Sequence, residues 1–262
     1  MSEHTEQKSM FAEERKSAIA EYIHKNRKST VGELCEIFKV SPATIRNDLN
    51  ELELAGLLKR THGGAIPNIK ANYELNSSQK KVEHMKDKET IAKKALVYVE
   101  DGDTIALDTG TTTLCFAKQL ISKKNLTIVT NDIEIAGFLE ENSDFNIVLI
   151  GGKLRTGFHC CVGPIALKCL EGLRVDKAFV ASNSVSIKNG LTTPSIELAQ
   201  MKTIFIDFAD QTILLSDSSK FGRASFVKFA DIHEVDIIIT DAGLPESQMK
   251  ELEQVDVTLD IA

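Results

Sequence analysis

The sequence has no long apolar stretch, because charged residues interrupt each of its hydrophobic runs. None approaches the roughly 20 residues that a membrane-spanning helix needs. The first residues, MSEHTEQKSMFAEERK, are polar and have no apolar core of the kind found in signal peptides. There are only five cysteines, and no two have CxxC spacing. We therefore expect a cytoplasmic protein with reduced thiols and no membrane contact.

Positive charge is scarce over most of the chain, whose 262 residues have a net charge of −7. Residues 1–66 contain ten Lys or Arg and ten Asp or Glu, whereas the remainder contains 21 against 28. An acidic body argues against indiscriminate nucleic-acid binding, although a small module can still collect positive charge on one face. The length is enough for one large or two ordinary globular domains.

Three short helices are predicted near the N-terminus. Apolar residues recur at helical spacing between residues 13 and 26. Thr30 and Glu33 form a capping-box pattern at the start of the second helix. Ser41 as N-cap and Pro42 in the first turn begin the third, SPATIRNDLNELEL. Its buried side is predicted to consist of Ile45, Leu49, Leu52 and Leu54. The following LLKRTHGGAI is typical of a β-wing, so residues 1–66 are predicted to form a winged helix-turn-helix.

The third helix carries the argument for DNA binding. The first turns of a recognition helix enter the major groove, where Arg pairs with guanine and Asn with adenine. Basic residues on either side, Lys25, Arg27 and Lys28 among them, are suited to contact phosphates. The DNA-binding candidates are Ser41, Thr44, Arg46, Asn47, Lys59, Arg60 and His62. The alternative is a small helical interaction domain whose charges are only solvated.

The rest of the chain alternates between strand and helix patterns. A polar segment, residues 67–83, is predicted to be a linker that leads into a helix. Residues 84–262 then form the second domain. Strands are predicted at 103–108, 126–130, 145–150, 176–182, 211–216, 236–240 and 255–259. Helices are predicted at 112–122, 132–141, 162–172 and 195–209, and KNGLTT (188–193) is predicted to be an inserted turn. Such alternation predicts an α/β fold with a largely parallel, Rossmann-like sheet.

Polar residues cluster at the predicted strand ends, where ligands bind in open parallel sheets. The run from Gly110 to Thr113 precedes a helix, so its N–H groups and hydroxyls are suited to receive a phosphate. Lys220 offers a positive charge for the same anion. The carboxylates of Asp108 and Asp217 are suited to accept hydrogen bonds from a sugar or polyol. The effector-binding candidates are Asp108, Gly110, Thr111, Thr112, Thr113, Asn131, Gly152, Lys153, Asp217 and Lys220.

Several of these residues have simpler interpretations that the sequence leaves open. The Gly110–Thr113 run can be an ordinary capped helix start, and Asn131 can be an N-cap. Lys153 by itself is an exposed charge. The pair Cys160–Cys161 is expected to pack as small apolar groups, because no second set of ligands accompanies His159 to form a metal site.

The two halves resemble the DeoR family of bacterial transcriptional regulators over nearly the whole chain. The motifs that carry the resemblance are SPATIRNDLNELELAGLLKRTHGGA, DTGTTT, VTND, LIGGKLR, VGPIA, NGLTTP and LLSDSSKFG. The resemblance implies a C-terminal sensor domain related in fold to ribose-5-phosphate isomerase. It also implies that phosphorylated sugars act as effectors, often on repressors of sugar catabolism. Two departures are Asn47, where the family often has a second basic residue, and ASNSVS (181–186), where it often has a glycine-containing turn.

Two enzymes are the alternatives to a sensor. DTGTTT is similar to the phosphate loop of sugar kinases of the actin-like superfamily, but only about 150 residues follow it here, too few for their second domain. A sugar-phosphate isomerase needs a positioned general base, which the sequence does not locate. We therefore expect no catalytic residues, no metal and no cofactor. The expected partners are double-stranded operator DNA, a phosphorylated sugar or polyol, and further copies of the same chain in a homodimer or larger oligomer.

Overall fold

The computed structural model describes residues 11–26, 28–67 and 74–262, without the side chains of residues 24 and 25. The chain divides into two compact units, Met1–Leu75 and Asn76–Ala262. Part of the predicted linker, 68–73, lies outside the described residues. In these described ranges, no helix has both the length and the hydropathy to cross a membrane.

Three helices and a small antiparallel sheet form the first unit. Its elements are α1 (Ala12–Asn26), β1 (Ser29–Thr30), α2 (Val31–Phe38), α3 (Pro42–Leu54), β2 (Leu58–Thr61) and β3 (Gly64–Pro67), with the strands in the order β1-β3-β2. Thr30 and Glu33 form the predicted capping box of α2. The Ser41 hydroxyl accepts the Thr44 N–H at 3.1 Å at the start of α3. Both predicted helix starts are therefore confirmed.

The core of this unit lies between the three helices and the β2–β3 hairpin. Its buried residues are Ile19, Ile23, Leu34, Ile45, Leu49, Leu52, Leu58 and Ala65. The prediction that Leu54 joins this core was wrong, since its side chain is 89% exposed. Leu54 follows Leu52 by two residues, about 200° around the helix, so the two point to opposite faces.

Helices and strands alternate through the second unit. The elements are α4 (Ser77–Val82), α5 (Met85–Ala95), β4 (Thr104–Leu107), α6 (Thr111–Leu120), β5 (Thr127–Thr130), α7 (Ile133–Asn142), β6 (Asn146–Leu149), β7 (Lys153–Arg155), β8 (Cys160–Val162), α8 (Pro164–Leu170), β9 (Val175–Ala181), β10 (Ser184–Ser186), β11 (Gly190–Thr193), α9 (Ile196–Asp207), β12 (Ala209–Leu215), β13 (Val227–Ala230), β14 (Ile237–Thr240), α10 (Glu246–Leu252) and β15 (Thr258–Ile261).

A seven-stranded sheet forms the centre of this unit, in the order β15-β14-β12-β9-β4-β5-β6, and every pair in it is parallel. Central strands such as β14 are buried throughout because helices cover both faces. One face packs around Phe205, Leu214 and Ile238, and the other around Phe116 and Phe179. The predicted α/β fold with a parallel sheet is confirmed.

The short elements differ from the sequence predictions. Residues from Ser77 to Val82, assigned to the linker, form α4 within the second unit. KNGLTT, expected to be a turn, contains the start of β11, which pairs with β10 in a hairpin and with β13 on its other side. The hairpin β7–β8, strand β13 and helix α10 had no predicted counterpart. Strands β7 and β8 are only three residues long, which leaves too little periodicity to be recognised.

A buried ion pair fastens α1 to α3 in the first unit. Arg15 donates to both carboxylate oxygens of Asp48, from Nε at 2.7 Å and from Nη2 at 3.1 Å. Both side chains are largely buried. The hydrogen bond with Asp48 raises the pKa of Arg15 although burial lowers it. A second pair, Lys16–Glu51 at 2.7 Å, joins the same helices at the surface.

Replacing Asp48 with Ala should destabilise the first unit by about 2 kcal/mol, because the Arg15 guanidinium loses two charge-assisted hydrogen bonds without gaining full access to water. Hydrogen exchange of the α1 and α3 amides in the full chain would measure the loss of protection. Glu51→Ala is the matched control and should cost less than about 1 kcal/mol, because the pair it breaks is solvated. Equal protection losses in the two variants would contradict the assigned role of the buried pair.

Candidate functional site

The first turns of α3 present two polar side chains to solvent. Arg46 and Asn47 are exposed, while Ile45 between Thr44 and Arg46 points into the core. Thr44 is half-buried, and its hydroxyl lies 2.9 Å from that of Ser41. Ser41 thus caps the helix, and Arg46 and Asn47 are the two predicted DNA contacts on α3 whose side chains make no hydrogen bond within the described residues.

The basic residues of the β2–β3 hairpin differ in exposure and in hydrogen bonding. Lys59 and His62 are exposed. The guanidinium of Arg60 instead donates to Asn50 in α3, and the Arg60 N–H donates to Glu53 at 2.7 Å. Arg60 therefore joins the hairpin to α3, a structural role the sequence did not reveal. Lys28 is also exposed, whereas Arg27 and the side chain of Lys25 lie outside the described residues.

In the second unit, five neighbouring strands end in polar residues at one edge of the sheet. Following the sheet order β14, β12, β9, β4 and β5, the residues after the strand ends are Asp241, Ser216–Asp217, Ser182–Asn183, Asp108 and Asn131–Asp132. The carboxyl ends of parallel strands meet at one edge, which is where such sheets bind ligands. The structure therefore brings the predicted Asp108, Asn131 and Asp217 together at this edge.

Asp108 lies at the bottom of this edge and has no exposed surface. Its Oδ2 forms an ion pair with the ammonium group of Lys202 in α9 and accepts the Ala181 N–H at 3.0 Å. Lys202 is 3% exposed and also donates to the Ala181 carbonyl at 2.8 Å. The sequence analysis missed Lys202, although a single lysine on the apolar side of IELAQMKTIFID was a usable signal. Asp108 Oδ1 has no partner among the described residues.

The N-terminus of α6 is not capped by any side chain. Gly110 precedes it with φ 156°, and a Cβ there would lie 3.3 Å from the Thr113 hydroxyl and 3.5 Å from Ala181 Cβ. Thr113 is turned inward and donates to the Gly110 carbonyl at 2.9 Å. The neighbouring helices at this edge are capped by side chains, Asp132 for α7 and Ser195 for α9. The first-turn N–H groups of α6 are thus left for another acceptor.

Asn131 is fully buried, and its amide donates to the Cys161 carbonyl at 2.9 Å. The residue that caps α7 is Asp132, not Asn131, so that alternative was wrong. Asp132 also accepts from the Thr109 hydroxyl at 2.6 Å. Burial raises the pKa of Asp132, although the Thr109 hydrogen bond opposes the shift. Asn131 and Asp132 therefore hold the backbone and Thr109 in place at this edge of the sheet.

Asp217 and Lys220 lie on the turn that follows β12. Asp217 is buried and accepts the Ser219 N–H at 3.1 Å, while the Lys220 ammonium group lies 3.9 Å from the other carboxylate oxygen. Burial acts to raise the pKa of Asp217, but the charge of Lys220 and the Ser219 hydrogen bond outweigh it and lower that pKa. Lys220 is 28% exposed, so its charge can reach a ligand.

Gly152 and Lys153 lie at the β6–β7 turn. A Cβ on Gly152, where φ is 151°, would come within 2.9 Å of the Val162 carbonyl, so only glycine allows this close approach of the chain. Lys153 is well exposed and pairs with Glu197 at 3.2 Å. Its described contacts are with the start of α9 and not with Asp217 or Lys220.

The cysteine pair packs under this edge. Cys160 and Cys161 are buried and unpaired. Burial raises the pKa of Cys160 to about 11, although the Thr109 hydroxyl opposes the shift. A thiol with such a pKa is protonated at neutral pH and poorly reactive.

The first unit is a winged helix-turn-helix, and the second is an α/β domain with polar residues at the carboxyl edge of its sheet. This combination defines the class of DNA-binding transcriptional regulators with a sensor domain. The "DeoR-like helix-turn-helix domain" matches residues 15–70, and the "DeoR C terminal sensor domain" matches residues 83–242. The chain belongs to the DeoR family of transcriptional regulators.

Named relatives agree in length and organisation with this chain. It is 36% identical over 250 residues to the HTH-type transcriptional regulator GlpR of Haloferax volcanii, covering 95% of this chain and 98% of that protein. It is 33% identical to the glycerol-3-phosphate regulon repressor of Escherichia coli, again over 95% of this chain and 98% of the relative. The ribose 5-phosphate isomerase A structure from Methanocaldococcus jannaschii has 22% identity and a TM-score of 0.38, covering 51% of this chain and 53% of that one.

Replacing Lys202 with Met should lower the free energy of unfolding by about 3 kcal/mol, because the buried Asp108 carboxylate loses its counter-charge. Adding Asp108→Asn should recover part of that loss, since no buried charge then remains. Urea unfolding followed by circular dichroism would measure both. Lys250→Met, which breaks an exposed pair with Glu246, is the matched control and should have little effect. A double variant no more stable than Lys202→Met would refute this explanation.

Proposed function

We propose that this protein represses a carbohydrate-utilisation operon and that a phosphorylated sugar or related metabolite controls its binding to operator DNA. The observation that carries the proposal is the uncapped N-terminus of α6 at the same sheet edge as the partly exposed Lys220. Backbone N–H groups at a helix start and a nearby ammonium group are the usual ligands of a phosphate.

The names of two relatives support repression, and one of them includes a phosphorylated metabolite. The relative from Escherichia coli represses the glycerol-3-phosphate regulon, and a further relative, 32% identical, is the transcriptional repressor AccR of Agrobacterium fabrum. A three-carbon phosphate and a sugar phosphate share the phosphate group that the α6 start is suited to bind. The remaining polar residues of the edge would then select among the attached polyols.

The recognition helix is proposed to read the operator through Arg46 and Asn47. Both are exposed near the start of α3, which is the part of a recognition helix that reaches base edges. Lys59 and His62 on the hairpin are suited to contact the backbone phosphates. A homodimer or larger oligomer would present two such helices to a repeated site, in the cytoplasm where the DNA lies.

The carboxylates at the sheet edge argue against an isomerase. Asp108 is paired with Lys202, and Asp132 caps α7. Asp217 accepts from Ser219, and Asp241 accepts the N–H groups of Ser218 and Gly243 and the Ser218 hydroxyl. A general base needs a carboxylate that can reach and take a substrate proton. These four are held by their own neighbours, which suits binding and not proton transfer.

Replacing Arg46 with Ala should weaken operator binding about 10- to 100-fold, because a pairing with a guanine is lost. Fluorescence anisotropy at one fixed salt concentration, with an operator selected from random DNA, would measure the change. Arg174→Ala removes an exposed arginine from the second unit and should leave the affinity unchanged. If Arg46→Ala bound as tightly as the parent, α3 would not be the recognition helix.

A thermal-shift screen should find stabilisation by phosphorylated sugars and not by the same sugars without phosphate. A ligand at about 100 times its dissociation constant adds roughly 2.7 kcal/mol of stability. Lys220→Met should abolish most of the shift because it removes a positive charge from the site, whereas Lys250→Met, on the exposed side of α10, should not. Equal stabilisation by phosphorylated and unphosphorylated sugars would argue against a phosphate site.

A further inference from the structure

Lys88 in α5 is a buried lysine with no acidic partner. It is 4% exposed, and its ammonium group donates to two backbone carbonyls, those of Lys80 and, at 2.6 Å, of Glu83. An ammonium group has three donors, so one remains without a partner among the described residues. A buried cation with no hydrogen-bonded carboxylate is costly unless an anion joins it.

Charged groups of both signs act on Lys88. Burial lowers the pKa of Lys88 most, and the charge of Lys220 lowers it further, while Asp217 and Glu83 act in the opposite direction. His84 and Lys88 in turn help to lower the pKa of Asp217. The buried carboxylate of Asp217 thus interacts electrostatically with Lys220, Lys88 and His84. The Nδ1 atom of His84 also lies 3.1 Å from a carboxylate oxygen of Asp87.

Helix α6 packs against the helix that carries Lys88. Helix α5 packs on α6, and the sulfur atoms of Met85 and Cys115 are 3.9 Å apart. Lys88 is close enough to Cys115 for its charge to act on that thiol. Cys115 is one turn after Thr111 and Thr112. Thr112 is only 7% exposed, and no hydrogen bond of its hydroxyl occurs within the described part of the chain.

We propose that Lys88 and Lys220 together bind the phosphate group of the effector against the first turn of α6, so that Lys88 is a further binding residue. This inference rests on the proposed function and names the charge of its ligand. Two ammonium groups and the helix start, which adds about half a positive charge, offer three positive partners to an anion, while Asp217 and Glu83 supply the negative charge around Lys88. A phosphate monoester carries about −1.5 to −2 at neutral pH and so matches the site better than a carboxylate or a neutral polyol.

The first test compares inorganic phosphate binding by Lys88→Met, Lys220→Met and Lys86→Met, measured by isothermal titration on the full chain. The first two variants should weaken binding at least tenfold. Lys86 is exposed on the same helix, so its variant should bind within a factor of two of the parent. A folded Lys88→Met protein with parental affinity would overturn the inference.

A second measurement does not depend on a folded Lys88→Met protein. Lysine side-chain NMR signals of the parent chain are followed during titration with inorganic phosphate, with Lys88→Arg and Lys220→Arg used for assignment. The Lys88 and Lys220 signals should shift with the same dissociation constant, while Lys86 should not. A response of Lys220 alone would reduce Lys88 to a support for the α4–α5 turn and leave the proposed function intact. A response of neither lysine would overturn both proposals.

Discussion

The buried ion pair between Asp108 and Lys202 is the contact on which the sheet edge depends. It joins the end of β4 to α9, and both partners also bond the Ala181 backbone at the end of β9. Each charge is buried, so each needs the other. Gly110, which precedes the first residue of α6, follows Asp108 by only two residues. The ion pair therefore holds the backbone two residues before the start of α6.

The polar residues of both units divide into those that hold the structure and those left for a partner. In the first unit Arg15 and Arg60 bond acidic or amide groups of α3, while Arg46 remains exposed. In the second unit the carboxylates are held by neighbouring N–H, hydroxyl or ammonium groups, and the α6 start and Lys220 are available. The groups that remain available at this edge among the described residues, the first-turn N–H groups of α6 and the Lys220 ammonium group, are hydrogen-bond donors.

Helix α4 is fastened at three points, although the sequence pattern is that of a linker. The Ser77 N–H donates to the Gly157 carbonyl at 3.0 Å, Lys81 pairs with Glu134 in α7, and Lys88 donates to the Lys80 carbonyl. The last of these bonds belongs to the lysine proposed to bind phosphate. Lys88, a proposed ligand-binding residue, is therefore hydrogen-bonded to α4, the first helix of the second unit.

The sequence alone determined those helices and strands whose apolar pattern extends over enough residues to be recognised. The caps at Thr30 and Ser41, the periodicity of the helices and the apolar runs of the sheet strands depend on neighbours within a few residues, and the structure confirms them. The sequence was enough to predict which edge of the parallel sheet collects polar residues. The roles predicted for those residues, and for the DNA-binding residues of the first unit, stay predictions. Only the tertiary structure decided which of those residues are buried and which remain exposed. Asp108 pairs with Lys202, which lies 94 residues later in the sequence. Lys88 is buried by elements that lie before and after it in the sequence. Such partners are selected by three-dimensional packing, which no local spacing records.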